Sequence, residues 1–190
     1  MTKTLFSMML VCLAAPAQTA RVAVVIETSW GSIEAEIALD KAPLTGANFL
    51  RYVDARSYEN GRFHRTVKLD NQPNNAVKIE VIQASLAPKV EPFPPIVLER
   101  TSLTGLTHTN GALSMARVGP DTGASEFFIC IGDQPALDFG GKRNPDGQGF
   151  AVFGRVTKGM DVVRKIQAAP AQGQLLEPPV RILRIVRKPA

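Results

Sequence analysis

A chain of 190 residues that is 45% hydrophobic and 21% charged, with 15 glycines and 14 prolines, can bury one core and is too apolar for disorder. Its 22 Lys and Arg against 17 Asp and Glu give +5, but no run of five basic residues occurs and only 6% are aromatic, which argues against nucleic-acid binding. The body has no apolar stretch of ~20 residues to span a membrane, and two cysteines, Cys12 and Cys130, are too few for a disulfide framework and lack metal-ligand spacing.

Met1 to Ala17 has the order of a secretory signal peptide: Lys3 as a positive start, Leu5–Ala14 as an apolar stretch, and Ala15-Pro16-Ala17 as a small-x-small cleavage site. Residues 18–190 are then the single folded domain, and the expected compartment is the periplasm. Val11 before Cys12 speaks against a lipoprotein, and Cys130 within Phe127–Ile131 is expected to be buried and inert.

Strands are expected over Ala23–Thr28 and from Gly31 to Leu39, where Ile33, Ala35, Ile37 and Leu39 alternate with Ser32, Glu34, Glu36 and Ala38. Pro43 opens a helix whose inner face carries Ala47, Leu50 and Tyr52 or Val53. Further short strands are expected at Arg62–Val67, Val77–Ala84, Ala112–Ala116, Glu126–Ile131 and Phe150–Thr157. A second helix follows at Met160–Ala168, with Val162, Val163 and Ile166 inward, and Val180–Val186 is the last strand. Lys68–Asn75 and Asp138–Gly149 are loops by composition, the second too irregular for a calcium loop. Eight short strands and two helices predict a mainly β fold: a closed eight-stranded antiparallel barrel capped by two α-helices.

Familiar catalytic sets are thin. There are two histidines, His64 and His108, no G-x-S-x-G elbow, no phosphate-binding glycine loop and too few ligands for zinc. A hydrolase, a metalloenzyme and a nucleotide enzyme are therefore disfavoured.

Five ordered groups of phrases remain: Phe63-His64-Arg65, Ile82-Gln83, Gly111–Ala116, Ser125–Ile129, and Val152–Val156 followed by Gly159–Val163. With them the chain resembles the cyclophilin family of peptidyl-prolyl isomerases, bacterial exported members above all, from Val22 to Arg187. The resemblance implies rotation about Xaa-Pro bonds in exported proteins, with Arg65 catalytic and Gln83 orienting it and binding substrate. Phe128, Val81 and Leu137 match proline-pocket positions, and Arg117 matches a position whose backbone binds substrate. Ala116, Phe63, Glu126 and Phe150 fall among the substrate-binding positions. His64, next to Arg65 on a strand, should face the other way and be structural.

The departures are Glu80 in place of a pocket phenylalanine, Val81 for a frequent methionine, Glu126 for glutamine, Phe150 for histidine and Ala136 for tryptophan. Without the phenylalanine the proline slot should be looser. No metal or other cofactor is implied. The partners implied are proline-containing polypeptides, with no nucleic acid, no membrane insertion after signal cleavage, and a monomeric state. The competing expectation is an inactive scaffold that binds proline peptides or acts as a chaperone.

Overall fold

The computed structural model describes residues 21–189. The expected signal peptide, with Cys12, lies outside them. Strands β1 (Val22–Thr28) and β2 (Gly31–Ile37) form a hairpin whose turn is tied by Thr28, its Oγ1 accepting from the Trp30 N–H and donating to the Gly31 carbonyl. Ile33, Ala35 and Ile37 face inward, as alternation requires.

Helix α1 (Pro43–Asp54) starts at the expected proline but has no side-chain cap of its own. Its exposed N–H groups are instead met by Glu99, whose carboxylate accepts from the Leu44 and Thr45 amides and the Thr45 hydroxyl at 3.1, 2.6 and 2.6 Å. A carboxylate suits the positive end of a helix. Ala47 is exposed, and the inner face carries Phe49 beside Leu50, Tyr52 and Val53.

The remaining strands are β3 (Arg62–Val67), β4 (Val81–Ser85), β5 (Ala112–Met115), β6 (Phe127–Cys130), β7 (Ala151–Lys158), β8 (Ala171–Gln172) and β9 (Leu175–Arg187). Helix α2 (Thr101–Thr104) is a single turn and α3 spans Met160–Gln167. Every pairing is antiparallel, in the order β1-β2-β7-β5-β6-β4-β3-β9, and β9 returns to β1 to close an eight-stranded barrel. β8 is an extra strand folded onto β9 around Gly173, whose φ of +60° suits glycine. The expected barrel and its two main helices are therefore present, with α2 and β8 in addition.

Two expected boundaries move for a physical reason. Residues 77–80 do not extend β4, because Gln72, 1% exposed, gathers this stretch into its own loop. The Gln72 amide donates to the Lys68 and Ile79 carbonyls and accepts from the Ile79 N–H. β9 runs longer than the apolar pattern, with Pro178 and Pro179 between its two stretches paired to β3. Proline has no N–H to give to a ladder.

The barrel interior is one apolar cluster. Phe49 of α1 lies 5.5, 5.3 and 5.1 Å from the rings of Tyr58, Phe127 and Phe153, while Val163 and Ile166 of α3 join the same cluster. A second, smaller cluster of Val67, Ile79, Val81, Ala112, Phe128, Cys130, Leu137 and Val152 lies on the outer face of the wall. Cys130 belongs to it, fully buried, and burial pushes its thiol pKa well above the ordinary range. That agrees with the expected inert thiol.

Candidate active site

Alternation along the wall sends Ile82 and Ala84 of β4 and Phe127 and Ile129 of β6 into the barrel, and Val81, Gln83 and Phe128 outward. β3 would break this pattern without a bulge. Phe63 pairs with Ala84 and Arg65 with Gln83, so two residues of β3 advance against one of β4. The extra residue is His64, and the bulge puts His64 and Arg65 on the same outer face.

Two expectations are corrected by this geometry. Phe63, expected to bind substrate, is fully buried in the barrel, 6.2 Å from the Phe127 ring. His64, expected to face away from Arg65, brings Nε2 to 3.9 Å from a Glu126 carboxylate oxygen. Its Nδ1 is buried with no partner, and burial draws its pKa down against the pull of Glu126.

Arg65 is held on two sides. Its Nη1 donates to Gln83 Oε1 at 2.9 Å, and its Nε and Nη2 both donate to Gln174 Oε1 at 2.9 and 2.6 Å. Gln83 in turn donates to Glu126 at 2.5 Å. Burial lowers the Arg65 pKa while Glu126 raises it, and an arginine stays charged at neutral pH. Gln174, in the β8–β9 turn, escaped the sequence reading because it lies 109 residues from its partner with no motif around it.

A cavity of about 220 Å³ opens beside this arginine. Its lining brings together Arg65, Val81, Gln83, Ala116, Arg117, Phe128, Leu137 and Phe150 of the expected set, and adds Ile79, Arg143 and Asn144. Glu126 lines the adjoining hollow, which shares Gln83, Ala116 and Arg117 with the cavity. Ile79, not Glu80, stands at the apolar wall. Glu80 turns away and accepts a hydrogen bond from Gln167 of α3, so the slot expected to be loosened there has an aliphatic side chain.

Phe128 forms the floor, with the Phe150 ring edge-on at 5.3 Å and the His108 ring stacked behind it at 5.9 Å. His108 lies between Asp138 (2.6 Å to Nδ1) and Ser114 (2.9 Å to Nε2). That is the residue set of a hydrolytic triad, but Ser114 is fully buried and no substrate carbonyl can reach it. The trio braces the floor. Among the described residues no cluster of His, Cys, Asp and Glu suits a metal ion.

The Arg117 side chain has more to do than expected. It is 2% exposed, donates to the Gly149 carbonyl, and grips Asp146 with Nη1 and Nη2 at 2.7 and 3.0 Å, pinning residues 138–149 over the cavity. Its hydrogen bonds draw the Asp146 pKa from 3.8 to about 2. A depressed carboxylate pKa means that the clamp is fully present above the ordinary value and is lost as pH falls towards 2. Backbone amide shifts of residues 138–149 are therefore expected to move between pH 4 and 2, and Asp146→Asn to remove that transition.

A larger hollow of about 550 Å³ lies against α1, lined by Leu50, Arg51, Asp54, Phe93 and Arg187 among others. Its charges are already engaged: Arg51 sits 3.6 Å from the centre of the Phe93 ring, and Arg187 pairs with Asp54 at 2.7 Å. Beside Arg65, by contrast, apolar walls meet donors still facing open space, as ligand sites require.

Residues 23–187 match the family model for cyclophilin type peptidyl-prolyl cis-trans isomerases. A peptidyl-prolyl cis-trans isomerase of Acinetobacter baylyi is 35% identical over 146 residues, 76% of this chain and 71% of that protein. Peptidyl-prolyl cis-trans isomerase B of Escherichia coli is 34% identical over 147 residues, 76% and 83% of the two chains. A solved cyclophilin type isomerase of Cryptosporidium parvum, crystallised in the presence of the dipeptide Ala-Pro, superposes with a TM-score of 0.66 at 21% identity, covering 88% of this chain and 99% of that one.

Proposed function

The chain belongs to the cyclophilin family of peptidyl-prolyl cis-trans isomerases, and from that premise we propose that it turns Xaa-Pro bonds of exported polypeptides in the cavity beside Arg65. Conjugation of the nitrogen lone pair with the carbonyl sets a rotational barrier of ~18–20 kcal/mol. Twisting the bond returns that lone pair to a pyramidal nitrogen. No bond breaks, so neither nucleophile nor cofactor is needed, only tighter binding of the twisted form than of either planar form.

The reading rests above all on one observation: a guanidinium fixed by Gln83 and Gln174 beside an apolar floor of Phe128. Phe128, Val81, Leu137 and Ile79 grip the prolyl ring. Arg65 presents its charge to the developing lone pair, and because its position is set in advance, no reorganisation is needed during the turn. Gln83 and the backbone around Ala116 and Arg117 hold the chain before the proline.

The sequence of residues 1–17 supports export to the periplasm after signal cleavage, and N-terminal sequencing of the exported protein should begin at Gln18. A protein retained in the cytoplasm with an intact Met1 would count against it. The isomerase reading is tested by cis-to-trans relaxation of a short Ala-Pro peptide. Acceleration proportional to enzyme concentration is expected; none from folded protein would favour a proline-binding scaffold.

A further inference from the structure

Residues 138–149 carry a second cation to the cavity. The Arg143 N–H donates to the Ala136 carbonyl, and its Nη1 reaches the Val77 carbonyl at 2.6 Å. The other guanidinium N–H groups have no protein acceptor among the described residues, although the side chain is partly buried and lines the cavity with Arg65 and Phe128. A guanidinium offers five donors in a planar fork, so most of its capacity is unspent.

The electrostatics are equally one-sided. Among the described residues no carboxylate oxygen lies within 4.0 Å of either Arg65 or Arg143. The nearby acids are engaged elsewhere: Asp146 by Arg117, Asp138 by His108, and Glu80 by Gln167. Glu126, which also bears on Arg65, is turned to Gln83 and His64 in the adjoining hollow. Burial, and after it the charge of Arg65, lowers the Arg143 pKa, so the two cations are close enough to feel each other. Two cations facing one partly desolvated space favour an anion between them.

We infer that Arg143 is a specificity-determining residue that makes this site prefer peptides carrying a carboxylate next to the proline. This rests on the cavity being the proline site. The carboxylate can come from an acidic side chain flanking the proline or from a free C-terminus directly after it. The Arg117–Asp146 clamp holds the loop, and with it the Arg143 fork, over the cavity.

The test compares kcat/KM of the full mature chain on three peptide pairs at low salt, the first two with amidated C-termini. These are Ala-Pro-Glu against Ala-Pro-Gln, Glu-Pro-Ala against Gln-Pro-Ala, and Ala-Pro with a free against an amidated C-terminus. About tenfold preference for the carboxylate member is expected in at least one pair, the size of one charge-assisted hydrogen bond, and the responding pair identifies the source. The preference should shrink in 1 M salt, where screening acts over about 3 Å. Arg143→Gln should bring that ratio close to one, and Arg143→Glu should invert it. Ratios close to one in every pair for the unaltered protein would overturn the inference, as would a ratio unchanged in Arg143→Gln. If no peptide is turned over, the isomerase reading fails by itself, and binding of the same pairs followed by chemical-shift titration still decides the carboxylate preference.

Discussion

Arg65→Ala should lower kcat/KM for an Ala-Pro peptide by about 10²–10³-fold, the loss typical of removing one preorganised charge-stabilising donor. The fold should survive, because Arg65 lies on the outer face of the wall and the barrel interior does not include it. Arg65→Lys should recover little. An ammonium cannot keep three directed bonds to Gln83 and Gln174 while also facing the prolyl nitrogen. Gln174→Ala separates position from charge: Gln174 does not line the cavity, so its loss should lower kcat about tenfold and leave KM nearly unmoved. A KM effect alone would mean that Gln174 contributes to binding and not to the placement of Arg65.

The largest effect on stability is expected at Phe49. Its side chain is fully buried and meets Tyr58, Phe127 and Phe153 at ring-centre distances of 5.1–5.5 Å, joining α1 to β6 and β7. Truncation to alanine removes the transfer energy of the ring and leaves a cavity that the rigid barrel wall cannot fill. The expected loss is about 3–5 kcal/mol, seen as a lower urea midpoint at unchanged slope. In a domain of this size that corresponds to a melting temperature roughly 6–20 °C lower. The remaining folded protein should turn over peptide at the normal rate, since the ring touches no cavity residue. A loss under about 1 kcal/mol would contradict the placement of Phe49 at the centre of the core.

What the sequence made legible depended on how local each signal was. β3 stands at Arg62–Val67 as the residue pattern predicts, yet the facing of Phe63 and His64 did not, because strict alternation has no place for a bulge and nothing in Phe-His-Arg announces one. The Pro43 start of α1 was legible; its cap was not, since Glu99 is 54 residues away in sequence from Thr45. The family phrases pointed to Arg65, Gln83 and Phe128, and these do meet at one cavity. Ile79, Arg143 and Gln174 come from loops and a short hairpin whose positions are set by tertiary contacts, such as the Gln72 bonds and the Arg117–Asp146 pair. The His108–Asp138–Ser114 trio was hidden for the same reason, being assembled from residues up to 30 positions apart.

The proline ring is expected to enter the cavity floored by Phe128, next to Arg65. Intermolecular NOEs between the ring protons of an Ala-Pro peptide and the protein measure this directly. Contacts to the Phe128 ring and to the methyl groups of Leu137 and Val81 are predicted. Contacts to Leu50 and Phe93 in the hollow against α1, with none to Phe128, would contradict it.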